Sequence, residues 1–356
     1  MPAIDVAPAA AGDSREARRA VTRALAARRA RALRAAAGLA VTALLAACVS
    51  VSVGDYPIPL ADVVPALLGL GDEATTIVAR ELRLPRVLGG LLVGGALGLS
   101  GAIYQAVARN PLASPDILGV LQGGSVAAVF GITVLSASAA LVSVSAFAGA
   151  LAMTIAVYLP AYRQGVSSYR FVLVGIGLAA IGTALVNWLL TRADIFSAAA
   201  ATVWLTGSLS AIGWESVIPT AVAFAGLTAV ALVLMRRLRA LQLGDDTAKG
   251  LGVEVERSRL ALLLVGVAAA GAAAAAAGPI MFVAFMAPPI ARRLTGAPLA
   301  LVPAALAGAL LVVASDLVAR TLFPSTEIPV GVVTGIVGAP YLLWLLARAN
   351  RIGRGG

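Results

Sequence analysis

The sequence predicts an all-α integral membrane protein with about ten transmembrane helices. Of its 356 residues, 60% are hydrophobic and only 12% are charged, whereas soluble domains carry about a quarter of charged residues. The apolar runs are long and do not alternate with polar residues, which favours helices over a β-barrel. Because backbone polar groups in lipid must be satisfied within the segment, continuous helices are the expected spanning elements.

Ten apolar segments of spanning length follow a basic N-terminal arm. They lie at about 35–53, 87–108, 115–136, 140–161, 170–191, 216–235, 258–279, 280–295, 299–319 and 329–347. The arm, residues 1–34, is rich in Ala and Arg and lacks a wide apolar face, so we expect it to be disordered or to lie on the cytoplasmic membrane surface. Gly278-Pro279 predicts a turn or break between the seventh and eighth segments. Residues 35–348 thus form the predicted transmembrane domain, and 349–356 form a cytoplasmic tail.

The distribution of Lys and Arg predicts the orientation of the chain. With the N-terminus in the cytoplasm, 22 of the 27 basic residues lie on the inner side, and the outer side keeps only Arg80, Arg83, Arg86, Arg192 and Arg320. This bias favours ten spans with both termini in the cytoplasm. It also accounts for the net charge of +10 without nucleic acid, since the basic residues are not interleaved with aromatic ones.

Catalytic and metal chemistry finds little support in the sequence. The chain has no His and a single cysteine, Cys48, so sites built on His or Cys ligands and an internal disulfide are not expected. It contains no phosphate-binding loop, zinc helix or nucleophile elbow. The spans are nearly free of acidic residues, so a proton-coupled or sodium-coupled carrier lacks its usual charges. Asp316 and Arg320, four residues apart, are predicted to form an ion pair at the outer end of the ninth span, where Arg320 also keeps a donor facing outward.

The longest polar stretch on the inner side, residues 236–253, predicts a short amphipathic helix. Leu243, Thr247 and Leu251 fall at i, i+4 and i+8, and two Asp residues lie near the start. An ordinary loop needs only polarity, whereas this segment presents an apolar ridge to the cytoplasm. We therefore expect it to be held by another protein.

Four sequence blocks carry a family resemblance. They are RLPRVLGGLLVGGALGLSGAIYQAVARNPLASPDILGV at 83–120, LQLGDDTAKGLGVEVERSR at 241–259, GPIMFVAFMAPPIARRLTG at 278–296 and ASDLVARTLFPSTEIPVGVVTGIVGAPYLLWLLAR at 314–348. In this order they resemble the FecCD permease family, the membrane subunits of type II ABC importers for ferric siderophores, haem and vitamin B12.

The resemblance implies an architecture and a set of partners. Residues 35–348 would be a ten-helix permease domain, and the chain would be a transport subunit, not an enzyme. Two such subunits would form a homodimer, with pairing to a non-identical permease left open. Two ABC ATPase subunits would bind inside, and a periplasmic or lipid-anchored substrate-binding protein would bind outside. No cofactor is expected on this chain, because ATP and Mg²⁺ would bind the ATPases. The complex would lie in the lipid of a bacterial cytoplasmic (inner) membrane.

The same resemblance implies roles for single residues. The residues that would bind glutamates on the two lobes of the binding protein are Arg83, Arg86 and Arg320. A guanidinium pairs with a carboxylate through two parallel hydrogen bonds. Anchoring at lipid headgroups is the competing interpretation. Within a cytoplasmic coupling segment of about 238–257, the helix held by the ATPase would comprise Leu243, Gly244, Asp245, Ala248, Leu251 and Gly252. The inner gate region would comprise Ser167, Ser168 and Tyr169, for which a plain tight loop is the alternative.

Two proline positions complete the sequence predictions. Pro111 disfavours helical geometry at Asn110, so Asn110 and Pro111 predict a shaped turn at the inner end of the second helix. Pro288-Pro289 stands where the family commonly has Pro-His, so whatever the histidine does in relatives is not done in that way here.

Three classes of function follow from these observations. The leading one is the permease of an ATP-driven importer of an iron-siderophore complex, with haem or cobalamin as the alternative cargo. A stand-alone secondary carrier or channel would instead have intramembrane charges or broken helices at mid-depth. A membrane-anchored scaffold would have neither gates nor docking arginines.

Overall fold

The computed structural model describes residues 11–116, 119–161, 168–322 and 327–353, which form helices and their connections. In chain order these are α1 (Ala11–Ser52), α2 (Leu60–Leu68), α3 (Glu73–Ile77), α4 (Leu84–Ala108), α5 (Val120–Thr133), α6 (Ala139–Ala161), α7 (Ser168–Arg192), α8 (Ile195–Thr206), α9 (Trp214–Gln242), α10 (Asp245–Gly250), α11 (Val255–Ala277), α12 (Val283–Thr295), α13 (Leu301–Thr321) and α14 (Val330–Gly353). A π-helical turn, Val78–Arg83, joins α3 to α4. The predicted all-α membrane fold is confirmed.

Eight helices in the described part of the chain are long and apolar enough to cross a membrane. Two of the ten predicted segments, 115–136 and 280–295, contain only the 14-residue α5 and the 13-residue α12. At 1.5 Å per residue each helix is about 20 Å long, less than the ~30 Å hydrocarbon thickness. The predicted count of about ten spans is therefore approximate, because the described residues contain eight long helices plus shorter apolar ones.

Local chemistry explains both shortened helices. Before α5 the chain passes through Pro111 and Pro115 and enters the helix from a left-handed Gly119 (φ 73°). Before α12 the chain leaves α11 at Gly278, which has a positive φ of 70°, and Pro279 follows directly. Proline removes a backbone donor, and a residue at positive φ cannot continue a right-handed helix. The break predicted at Gly278-Pro279 is therefore present.

One apolar helix, α8, was not predicted, and it lies in the connection expected between the fifth and sixth spans. Asp194 caps this helix, because its carboxylate accepts hydrogen bonds from the backbone N–H groups of Phe196 and Ser197 at 3.0 Å each. An Asp directly before an apolar run is the signal that would have indicated a helix start.

The basic arm is helical in its described part. α1 runs without a break from Ala11 into the first apolar segment, so the expected disorder of residues 1–34 does not extend to residues 11–34. Arg31 donates to the backbone oxygens of Leu294 at 3.2 Å and Arg293 at 3.4 Å. These carbonyls lie in the last turn of α12 and have no partner within that helix, so Arg31 caps α12.

α4 is the central helix of the fold. It packs against α9, α11, α12 and α13, and every residue from Val93 to Val107 is buried. A Cβ atom at Gly94 would overlap the backbone oxygen of Gly308, and one at Gly101 would overlap that of Ala284. Glycine thus lets α4 touch the backbones of α13 and α12 directly. The same helix connects the arginines at its start to α10 at its far end.

Candidate functional site

Two of the predicted docking arginines meet at one buried carboxylate beside the start of α4. Arg86 donates from Nε and Nη2 to Asp316 of α13 at 3.0 to 3.3 Å. Arg320 Nε lies 3.1 Å from Oδ2 of the same carboxylate, whose side chain is only 3% exposed. The predicted Asp316–Arg320 pair is therefore present, and Arg86 joins it.

Arg83 and Arg320 cap the end of α1. Arg83 donates to the backbone oxygens of Val51 at 2.7 Å, Ser52 at 3.2 Å and Tyr56 at 2.6 Å. Arg320 donates to Val53 O at 3.2 Å and Ser50 O at 3.1 Å, and also bonds the Ser50 hydroxyl. The last carbonyls of a helix lack intrahelical partners and carry partial negative charge, so guanidinium groups stabilise this end.

Arg320, which was expected to keep a donor facing outward, makes most of its contacts inside the protein. Its three guanidinium nitrogens all contact α1, the Ser50 hydroxyl or Asp316, and Arg83 is 8% exposed. Arg86 has one contact at the surface, because its Nη1 lies 3.2 Å from Oε1 of Glu327, a carboxylate that is 61% exposed. We call these five residues, Arg83, Arg86, Asp316, Arg320 and Glu327, the arginine cluster.

The predicted short helix in the 236–253 stretch is present as α10 at the opposite end of α4. Gly244 precedes it at φ 108° and Gly252 follows it at φ 77°, backbone conformations that favour glycine. Leu243 and Leu251 flank the helix and are 63% and 62% exposed, whereas Ala248 is fully buried. The predicted apolar ridge is thus open at its two leucines, and the helix rests on the bundle through Ala248.

Asp245, the first residue of α10, links three helices. Its Oδ1 accepts from Arg109 Nη2 at the end of α4 at 3.0 Å, and its Oδ2 accepts from Arg259 Nη2 of α11 at 2.9 Å. Arg259 also donates to Glu256 at 2.9 Å. Partial burial alone would raise the pKa of Asp245, but the hydrogen bond from Arg259 and the charges of Arg259, Arg109 and Lys249 outweigh it, and the pKa lies below its usual value. The carboxylate is therefore ionised at neutral pH.

The turn predicted at Asn110 and Pro111 is formed. Arg109 ends α4 in the left-handed region (φ 51°), and Asn110 Oδ1 accepts from Leu112 N at 2.9 Å. The turn fixes the direction in which Arg109 leaves the helix. Of the predicted gate residues, Ser167 lies outside the described residues, and Ser168 and Tyr169 form the first turn of α7. The gate assignment stays a prediction.

The non-helical stretch before α12 is bonded to the stretch before α5, and α12 itself packs against α4. Asp116 Oδ2 accepts from Phe282 N at 3.1 Å, which joins the two non-helical stretches that precede α5 and α12. Gln105 donates to Phe285 O at 3.1 Å and accepts from Arg292 Nη2 at 2.7 Å. Because Ala284 packs on Gly101, seven residues before the end of α4, α12 starts about 10 Å inside the layer that α4 spans.

Most of the charged residues in these contacts could be identified from the sequence, but their partners could not. Asp245 and Arg259 are 14 positions apart and Arg86 and Asp316 are 230 apart, and no local spacing indicates such pairs. Asp116 is the single acidic residue in the block at 83–120, which is the signal that could have pointed to it. Within the described residues there is no group of three or more His, Cys, Asp or Glu side chains that could hold a metal ion.

Comparisons with known proteins agree with this architecture. The sequence profile of the FecCD transport family matches residues 42–348. The ferric enterobactin transport system permease protein FepG of Escherichia coli (strain K12) is 42% identical over 314 residues, 86% of this chain and 95% of that protein. The achromobactin transport system permease protein CbrC of Dickeya dadantii (strain 3937) is 41% identical over 315 residues, 87% of this chain and 90% of that protein. A solved structure described as an inward-facing metal-chelate type ABC transporter superposes with a TM-score of 0.77 at 28% identity, covering 89% of this chain and 99% of that one. The chain therefore belongs to the FecCD transport family.

Proposed function

We propose that this chain is the membrane-spanning subunit of an ATP-driven importer that moves an iron-siderophore complex across the bacterial cytoplasmic membrane. The observation that carries the proposal is α10, a short helix that rests on the bundle through Ala248 and is flanked by the exposed Leu243 and Leu251. The names of FepG and CbrC, permeases of ferric enterobactin and achromobactin transport systems, support a siderophore as the cargo. Haem and cobalamin are the alternative cargoes within the same architecture.

The proposed complex has a second permease, most simply a copy of this chain, two ATPases and a substrate-binding protein. α10 would face the cytoplasm and bind an ATPase, and the arginine cluster would face outward and receive the binding protein. ATP and Mg²⁺ would bind the ATPases. This orientation follows the excess of basic residues on the α10 side, which the positive-inside rule places in the cytoplasm.

One observation favours the carrier or channel alternative. The chain breaks before α5 and α12, and Asp116 joins the two breaks, a feature common in secondary carriers. The importer proposal is stronger, because the similarity to transport-system permeases covers 86% of the chain and 95% of FepG.

Substituting Leu251 by Asp tests the proposed ATPase contact. Leu251 is 62% exposed, so a carboxylate there leaves the fold intact but places a charge in an apolar contact. We expect at least a ten-fold loss of co-purified ATPase, as for truncation of a central interface residue. The measurement is a tagged pull-down from native membranes of cells grown without iron, with partners quantified by mass spectrometry.

The matched control is Leu68→Asp, the same substitution at a 66% exposed leucine of α2, which we expect to retain the ATPase. Equal retention by both variants would remove α10 from the interface. If wild type itself recovers no ATPase under gentle solubilisation, the carrier or channel alternative replaces the importer.

The Glu327→Gln variant tests the proposed docking surface. Glu327 is an exposed carboxylate on Arg86, so it would compete with a carboxylate of the binding protein for the same guanidinium. Neutralising it should tighten binding by about two- to five-fold, the range of an exposed ion pair. Binding of the cognate substrate-binding protein to nanodisc-embedded transporter is measured by interferometry, with Glu81→Gln as a control for loss of one exposed carboxylate. Weaker binding by Glu327→Gln would contradict this arrangement.

A further inference from the structure

The contacts of Asp245 connect the proposed ATPase-binding helix to two membrane helices in different ways. Arg259 reaches Asp245 from α11 and also holds Glu256, and its side chain is 7% exposed. Arg109 reaches Asp245 from the end of α4, and its side chain is 43% exposed. The guanidinium group of Arg259 is thus shielded from water, whereas that of Arg109 is open to it.

The chain itself ties α10 to the helices that precede and follow it, α9 and α11. α9 ends at Gln242, with two residues between it and α10, and α11 begins at Val255, shortly after α10 ends. The pair between the buried Arg259 and Asp245 adds a side-chain link from α10 to α11. No comparable connection ties α10 to α4, which lies more than 100 residues earlier in the sequence. Arg109 is the described side chain of α4 that forms an ion pair with α10.

Arg109 is held in the position that this contact requires. Its backbone is left-handed, and Asn110 N donates to Gln105 O at 3.1 Å, so the end of α4 is a closed turn. The backbone of Arg109 therefore cannot rotate freely, and a displacement of Asp245 acts on α4 through the guanidinium group. An exposed ion pair can also break and re-form without leaving a buried charge unpaired.

We propose that Arg109 and Asp245 are positioning residues that transmit movement of α10 to α4, while Arg259 holds α10 against α11. This inference rests on the proposed function, because it assigns α10 to the ATPase. It adds that ATPase binding and coupling are separable: Leu243 and Leu251 would supply the contact, and the Arg109–Asp245 pair would carry the displacement to α4.

The test compares Arg109→Gln with Arg109→Lys in the complete transporter, reconstituted in liposomes with the ATPase that co-purifies with wild type and the substrate-binding protein. The readouts are co-purified ATPase, ATP hydrolysis rate and ferric-siderophore uptake per ATP hydrolysed. For Arg109→Gln we expect wild-type amounts of ATPase and retained hydrolysis, but at least about a five-fold fall in uptake per ATP, the lower end of typical coupling between sites. Arg109→Lys keeps the charge and should restore part of that ratio.

Asp246→Asn is the control for loss of a charge on α10 outside the Arg109–Asp245 pair, because Asp246 is the exposed neighbour of Asp245 on the same helix. We expect it to leave uptake per ATP unchanged. The proposal is overturned if Arg109→Gln has the wild-type ratio, if it loses the ATPase itself, or if Asp246→Asn lowers the ratio equally. Failure of wild type to retain any ATPase is a different result, which removes the proposed function and not only this coupling route.

Discussion

Replacing Asp316 by Asn is expected to destabilise the folded protein strongly. The carboxylate is 3% exposed and pairs with both Arg86 and Arg320, so its neutralisation takes from Arg320 its ion-pair partner among the described residues and leaves Arg86 with only the exposed Glu327. Breaking a buried ion pair by removing one partner costs about 3–5 kcal/mol. We expect a large fall in the thermal midpoint of the detergent-solubilised protein and loss of the monodisperse peak in size-exclusion chromatography.

A double-substitution cycle separates this electrostatic effect from a change of shape. Removing Arg86 as well, in Arg86→Gln/Asp316→Asn, deletes one of the two charges that Asp316 neutralises, so the double variant should lose less than the sum of the single variants. Glu327→Gln removes only an exposed partner of the same Arg86 and should change stability by no more than about 1 kcal/mol. Strict additivity in the cycle would contradict the role assigned to Asp316.

Adding a single methyl group at Gly101 is expected to disrupt the contact between α4 and α12. A Cβ there would overlap the backbone oxygen of Ala284, which cannot rotate away as a flexible side chain can. The helices must separate, so Gly101→Ala should destabilise the protein by about 3 kcal/mol or more, at the upper end of overpacking effects. The measurement is the thermal midpoint and the yield of folded protein after solubilisation.

Gly226→Ala is the matched control for Gly101→Ala. A Cβ at Gly226 on α9 meets no described heavy atom within 4 Å. Ala favours a helix over Gly by up to about 1 kcal/mol, so Gly226→Ala should be neutral or stabilising. Opposite signs for the same substitution would confirm that Gly101 is required for close packing. A neutral Gly101→Ala would show that α12 can move away from α4 at little cost.

The described structure agrees with most of the helix positions because hydropathy acts over a whole segment. Each of the ten predicted segments contains a helix, and the short helix near Asp245 was found from the spacing of Leu243, Thr247 and Leu251. The lengths of α5 and α12 were wrong, since hydropathy counts apolar residues and does not distinguish a helix from an apolar non-helical stretch such as 278–282. α8 was missed because its 12 residues are too few to be recognised as a span.

The roles of charged side chains could be predicted only in part. The i, i+4 pair of Asp316 and Arg320 follows from the repeat of a helix, and it is present. That Arg86 shares the same carboxylate, and that Arg83 caps α1, depends on which helices pack together. The sequence therefore identified the arginines near the start of α4 and at the end of α13, but not that most of their donors are used inside the protein.

The sequence by itself determined that this protein is a helical membrane protein of the FecCD type, with an uneven distribution of basic residues and a short helix near Asp245. These properties reside in composition, periodicity and short motifs, each of which is local along the chain. Only the tertiary structure decided that Asp316 lies between two arginines, that Asp245 joins α10 to both α4 and α11, and that α12 starts beside Gly101. Such contacts join residues more than a dozen positions apart, and they exist because close packing of glycine-rich helices brings those residues together.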